Sequence, residues 1–308
     1  MKRIYTNEAL CILIILYAGE VLLCPDKCAC RIDTIGVLVK CEYRLGLTEI
    51  PKLFPNDTYR IELYGNNFPT IEAEAFQNLL VLQNLDLSYC NIRTIEPGAL
   101  VNLPKLRYLY LGSNQITTIQ PDILRDLPAL IKIDLSSNQI TTIQQEIFRD
   151  LPALRHLLFG SNNISVIEEN AFKNLTGLQV LHFGENRITT IQQGTFRDLQ
   201  ALKHIYIKNN QITTIQQGAF QDLPSFLSLD MKGNNLTFVG IDSFVNVSNL
   251  KYLYLDLICD CNIPFWAWIN SKYFAAKNVT CLDRNSVQIS SLQASDFESC
   301  TCKYLTFT

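Results

Sequence analysis

Three histidines and eleven cysteines are the residues of this chain whose types promise chemistry, and both sets are clustered. His156, His182 and His204 fall in successive copies of one strand-like pattern, and three imidazoles on one surface are the beginning of a metal site. Adjacent strands lie about 4.8 Å apart, so His156 and His204, two strands from each other, start roughly 10 Å apart. No carboxylate or thiol completes a ligand set between them, and surface contacts are the reading for all three. Asp134 and Asp230 lie four copies of the pattern apart, too far for the paired carboxylates of glycoside hydrolysis. There is no Ser-His-Asp order with a nucleophile elbow, no H-E-x-x-H and no glycine-rich phosphate loop. No catalysis, metal or cofactor is expected.

The cysteines sit at the two ends. Cys24, Cys28, Cys30 and Cys41 form a C-x₃-C-x-C-x₁₀-C cluster, and Cys259, Cys261, Cys281, Cys300 and Cys302 close the chain. A zinc knuckle needs paired C-x₂-C arms, which the first cluster lacks. Lys2 and Arg3 precede an apolar run from Ala9 to Ala18, followed by small residues and Glu20. That is the pattern of a secretory signal cleaved near Ala18–Glu20, too short to span a bilayer comfortably. Export leads to an oxidising compartment, where the cysteines are expected to pair, and Cys11 leaves with the signal. Spacing alone allows three connectivities for the first four. Cys90 stands apart from both clusters and reads as a buried structural thiol.

What must position these residues is a repeat. Asn66, Asn114, Asn138, Asn162, Asn186, Asn210 and Asn234 follow one another at a step of 24, with Cys90 in the one gap. A fixed period of this size marks a solenoid. Within each copy, residues such as Leu106, Leu109, Leu111 and Ile116 alternate as a short strand with one buried face requires. The return half carries its own apolar columns, Ile71 through Val239, Phe76 through Phe244 and Leu79 through Val247. One copy cannot bury these side chains alone, but stacked copies bury them as one core. The Asn column offers a donor and an acceptor to backbone groups left facing inward where the chain leaves each strand.

The pattern L-x-x-L-x-L-x-x-N-x-L resembles the leucine-rich repeat, with eight copies in register. The resemblance implies an α/β solenoid, a leucine-rich-repeat horseshoe with a concave parallel β-sheet and disulfide-bonded caps at both ends. The amino-terminal cysteines resemble the cap of extracellular members, which implies Cys24–Cys30 and Cys28–Cys41. The closing pattern C-x-C…W…C…D-F…C resembles the other cap and implies Cys259–Cys281 and Cys261–Cys300, leaving Cys302 to compete with Cys300 or to bridge to a second copy. Two departures stand out: the usual Asn-Pro-Trp before the first cap cysteine is missing, with Ile258 at the ladder position, and no long loop separates the last cap cysteines. Asn262 could cap a short helix with Pro264 in its first turn. The expected organisation is a signal peptide over 1–19, the first cap and an irregular turn over 20–57, repeats over 58–255, the second cap over 256–302 and a tail over 303–308.

The outward strand positions change from each copy to the next while the buried ones repeat. Tyr89, Tyr108, Tyr110, Lys132 and Asp134 in the first half, with His156, His182, His204, Tyr206 and Asp230 in the second, are the expected ligand-binding residues. Exposed aromatics beside adaptable polar groups resemble a paratope composition. Gly112, Gly160 and Gly184 suggest a place where a partner comes close to the sheet, with Glu62, Asp86, Lys132 and Lys208 as a charged rim. Among relatives the chain most resembles the variable lymphocyte receptors, and Toll-type and Slit-type ectodomains share its parts. That implies recognition of a protein or glycan, microbial ligands included; a matrix, adhesion or guidance role is the alternative. A net charge of −3 argues against nucleic acid. No spanning helix, stalk or lipid-anchor tail follows Cys302, so the product is expected to be secreted and soluble, or the ectodomain of a longer chain. N-x-S/T occurs at Asn56, Asn163, Asn174, Asn235, Asn246 and Asn278, with Asn174 expected to be used because it lies on the return side.

Overall fold

The computed structural model describes residues 14–17, 20–41, 46–240, 242–259 and 262–297. The chain divides into two compact units, one of Met1–Gln139 with Ile147–Leu154 and one of Ile140–Glu146 with Arg155–Thr308. Each is a stack of 24-residue turns built on a parallel sheet, the solenoid that the period implies.

In the first unit the parallel strands are Thr58–Glu62, Asn84–Asp86, Tyr108–Tyr110 and Lys132–Asp134. Each residue pairs with the one 24 positions on, Leu85 with Leu109 and Leu109 with Ile133. The inward members Ile61, Leu85, Leu109 and Ile133 are fully buried. Burial of each such side chain contributes about 1.5–3 kcal/mol. The amino end is covered by an antiparallel pair, Ala29–Ile32 with Val37–Lys40, the latter pairing parallel to Thr58–Glu62. Val37, Val39 and Cys41 bury there, and disulfides join Cys24 to Cys30 and Cys28 to Cys41. Ahead of them Ile14–Tyr17 pairs antiparallel with Glu20–Leu23.

The second unit continues the pattern with His156–Leu158, Val180–His182, His204–Tyr206, Ser228–Leu236 and Tyr252–Leu257. The step of 24 then runs on where the leucine pattern has ended: Ala276–Cys281 pairs parallel to Tyr252–Leu257, Tyr254 opposite Asn278. Cys259 is joined to Cys281. Cys261, Cys300 and Cys302 lie outside the described residues, and so do the expected Cys261–Cys300 pair and the bridge through Cys302. The helix Ile263–Ser271 buries Phe265 and Ile269 and sets Trp268 against Phe244 at 4.9 Å between ring centroids. Phe172, Phe196, Phe220 and Phe244 stack in turn at 6.4, 5.3 and 5.1 Å.

The return halves of the repeats are made of turns, with two-residue parallel bridges such as Thr190–Ile191, Thr214–Ile215 and Phe238–Val239. Three columns of left-handed residues recur at the same step. One is occupied by Asn78, Asn102, Asp126, Asp150, Asn174, Asp198, Asp222 and Asn246, the non-glycine types that tolerate this region best. Another runs through Tyr89, Ser113, Ser137, Ser161, Glu185 and Asn209.

The Asn ladder works as its chemistry suggests. Asn186 accepts from the Ile164 N–H at 2.9 Å and donates to the carbonyls of Phe159 and Phe183 at 2.9 and 3.0 Å. Asn66 makes the equivalent bonds to Leu47, Cys41 and Leu63, tying the first cap to the repeats. At the far end the ladder position is held by Asn262, four residues beyond Ile258. Its Oδ1 accepts from Val239 N–H at 2.9 Å, and its Nδ2 donates to Thr237 and Ile258 carbonyls. Asn262 therefore makes no side-chain cap to the helix that follows, although Pro264 does open its first turn. A side chain has one set of hydrogen bonds to give, and the buried ladder groups take them.

Cys90 is fully buried and unpaired with any other cysteine. Its thiol donates to the Leu63 and Ser88 carbonyls, and the Phe68 N–H turns to the Cys90 carbonyl instead. Burial pushes the thiol up to about 11. Only the thiolate reacts readily. In the native protein at pH 8, the peptide containing Cys90 is therefore expected to stay unlabelled by a thiol reagent in peptide mapping, and to label fully once the chain is unfolded.

Candidate functional site

The pleat of the strands decides which side chains can meet a partner. In Tyr108–Tyr110, Lys132–Asp134, Val180–His182 and His204–Tyr206 the middle residue is buried and the outer two are half-exposed. Parallel register then stacks outward side chains in columns, Val180 beside His204 and His182 beside Tyr206.

In the first unit these columns are held by their own neighbours. The Lys132 ammonium lies 5.1 Å from the Tyr110 ring centroid and 3.9 Å from the Asp134 carboxylate. Arg107 approaches the Tyr108 ring at 6.0 Å. Burial, reinforced by Asp86, raises the Tyr110 hydroxyl above its ordinary pKa. Glu62 is paired with Arg60 at 2.7 Å and sits 4.0 Å from Lys40. Surface pairs of this kind contribute about 0–1 kcal/mol each, and they engage Glu62 and Lys132 of the expected charged rim within the unit. Tyr89 stands off the strands, at a left-handed turn position, with 66% of its surface exposed.

In the second unit the structure gathers His182, His204 and Tyr206. The Tyr206 ring lies 5.8 Å from His182, tilted by 39°, and 6.1 Å from His204, nearly parallel to it. Burial and the nearby Lys203 lower the His204 pKa, and its Nδ1 is buried without a hydrogen-bond partner. His156 is half-buried at the outer position of its strand. Among the described residues no group of three His, Cys, Asp or Glu side chains is placed to share a metal ion.

The glycines do something other than leave the sheet open. A methyl group at Gly160 would stand 2.7 Å from His182 Cε1 and 2.8 Å from Nδ1, and one at Gly184 would stand 3.2 Å from Cε1. The imidazole thus occupies the space that the two missing side chains leave. Gly112 lacks such a cover and faces the Ser136 carbonyl and Asp134. Gly160→Ala is expected to displace the His182 ring at a cost of about 1–3 kcal/mol, the range for overpacking. In a double-mutant cycle that cost should vanish when His182 is already alanine. A penalty that persists in the His182→Ala background would place the clash elsewhere.

Asp86, Asp134 and Asp230 also have local duties that spacing did not disclose. Each accepts from the N–H two residues on, Ser88 at 3.0 Å, Ser136 at 3.1 Å and Lys232 at 3.2 Å, closing the turn out of the strand. Ser228, nominally outward, is buried. A polar row missed in the sequence runs through positions 232, 256 and 280. The Lys232 ammonium reaches Asp256 at 2.8 Å and the Thr280 hydroxyl at 2.7 Å. Burial pushes the Asp256 carboxyl up, but Lys232 and the Gly233 N–H more than offset it and hold it below the usual carboxylate range. The step of 24 between these three polar residues was the available signal.

Strands in register at 24 residues, an asparagine ladder and turn-built returns now stand together with a match by homology. The family described as "Leucine rich repeat" covers residues 58–116, 104–164, 158–212 and 200–257, well over half of the chain. The chain belongs to the leucine rich repeat family. Relatives include a chondroadherin-like protein of Mus musculus, 39% identical over 69 residues, 22% of this chain and 9% of that protein. Leucine-rich repeat-containing protein 3 of Danio rerio is 42% identical over 65 residues, 21% of this chain and 24% of that protein. Human chondroadherin is 36% identical over 69 residues, 22% of this chain and 18% of that protein. In each case the shared stretch is at most about a quarter of the relative's length. Among the described residues no helix of this leucine rich repeat protein is long and apolar enough to cross a membrane.

Proposed function

We propose that this leucine rich repeat protein is an extracellular recognition protein that binds a protein or glycan ligand on the outward columns of its strands. The observation that carries this reading is the contrast between repeated inward residues and outward ones that change from each copy to the next. At His182, His204 and Tyr206 the change produces a half-exposed cluster of rings. Aromatic rings give large contact area for little lost conformational freedom, which is why they anchor interfaces. The disulfides at both ends support an oxidising, extracellular setting, and with it removal of a leader ending near residue 19. An immune role like that of the variable lymphocyte receptors fits the diversified columns.

A matrix or adhesion role is the second reading, favoured by relatives named chondroadherin and chondroadherin-like protein. Purified protein applied to an array of microbial glycans, secreted proteins and matrix proteins separates the two. Retention by microbial glycans supports the immune reading, and retention by matrix proteins alone replaces it with the second.

A further inference from the structure

We infer that Asn278 carries an N-linked glycan, and that this glycan walls the carboxy-terminal end of the outward face on which the proposed ligand site lies. Of the six N-x-S/T asparagines, Asn278 alone stands in the outward column that carries Tyr206, Asp230 and Tyr254; Asn235 is exposed in the strand Ser228–Leu236 but outside that column. It pairs in parallel register with Tyr254, which pairs with Asp230, which pairs with Tyr206. Asn174 and Asn246 occupy the left-handed Asn/Asp column of the returns, so backbone conformation already accounts for asparagine there. Asn163 and Asn235 directly follow the ladder residues Asn162 and Asn234, and Asn56 precedes its strand. Local backbone needs give no such account of Asn278, which is exposed within the strand Ala276–Cys281.

The folded strand also leaves Asn278 exposed, so a sugar already attached can be carried there. The Oδ1 accepts from Gln288 Nε2 at 3.0 Å and from the Thr280 hydroxyl at 3.3 Å, so both of these bonds fall on the oxygen and neither uses the Nδ2 that would carry the sugar. The third residue of the motif, Thr280, is 8% exposed and is held by Lys232. Transfer therefore takes place before this strand packs. The Nδ2 attacks the anomeric carbon of a lipid diphosphate-linked oligosaccharide, the C–N bond forms as the bond to the diphosphate breaks, and one amide proton is lost. Once the strand docks, the sugar rises from the column one strand spacing, about 4.8 Å, beyond Tyr254. A bulky hydrophilic chain there confines a ligand to the columns on the His182 and Tyr206 side.

The inference rests on the outward face being the binding face, but its test needs no ligand. The full chain is secreted from eukaryotic cells, and glycosidase treatment in ¹⁸O water converts an occupied Asn278 to labelled Asp, read by peptide mapping. In parallel, hydroxyl-radical footprinting compares native protein before and after enzymatic removal of glycans. The Asn278 peptide should be labelled, and Tyr254 should become more reactive by a factor of about three or more on deglycosylation, because a bulky glycan excludes reagent. Tyr89 serves as the internal reference and should not change. Asn278→Gln should show the deglycosylated Tyr254 reactivity without enzyme. An unlabelled Asn278 peptide overturns the site, and equal Tyr254 reactivity despite occupancy overturns the wall. Either failure leaves the reading of His182 and Tyr206 standing, since that reading falls only on ligand binding.

Discussion

Tyr206→Ala combined with His182→Ala is expected to weaken binding to a ligand retained on the array by at least tenfold, about 1.4 kcal/mol. The melting temperature should stay nearly unchanged. Both side chains sit at outer, half-exposed strand positions, and the buried neighbours Leu181 and Ile205 keep the core. Anchors of this type lose about 2 kcal/mol or more on truncation when they are central to an interface. Removing both rings also unstacks His204, whose nearest aromatic partner is Tyr206 at 6.1 Å. The matched control lies on the return side, where Gln144→Ala with Gln192→Ala removes two side chains outside the strand columns. Titration of the three proteins against one retained ligand decides the matter. If the glutamine pair abolishes binding and the aromatic pair does not, the ligand uses the other surface.

The largest effect on stability is expected at the ladder. Asn186→Ala strands the Ile164 N–H where Asn186 itself is only 6% exposed, and takes one of two amide donors from the Phe159 and Phe183 carbonyls, which Asn162 and Asn210 still serve. A buried group left unsatisfied costs about 1–3 kcal/mol, so a loss of about 1–3 kcal/mol is expected from the Ile164 N–H, with a smaller part from the two carbonyl bonds given up. Asn186→Asp keeps the acceptor for Ile164 but gives up the donors and adds a buried charge, and should fare little better. Denaturant midpoints for the two variants and the parent measure this. A midpoint for Asn186→Ala indistinguishable from the parent would show that water replaces the carboxamide. Cys90 shows what accommodation without a carboxamide takes: the Phe68 N–H must find the Cys90 carbonyl instead, and the thiol must serve two carbonyls.

The sequence by itself determined the architecture, because stacking turns a step along the chain into a step in space. A period of 24 places Leu109 on Ile133 and Tyr206 beside Asp230 without any knowledge of the rest of the molecule. Alternation then told inward from outward, and the asparagine column told where backbone groups need a buried partner. What the period could not decide is how side chains in adjacent copies share space and hydrogen bonds. His182 lies over Gly160 because two neighbouring copies lack side chains there, and that depends on both copies at once. Asp134 and Asp230 turn to their own backbone because an N–H two residues away is nearer than any partner. At the end of the stack the spacing pointed to Ile258, whose side chain has neither an acceptor for the Val239 N–H nor a donor for the Thr237 carbonyl. The chain shifts by four residues to bring Asn262 to that place. Periodicity is a property of position, and those choices belong to the chemistry of whichever groups the packing brings within reach.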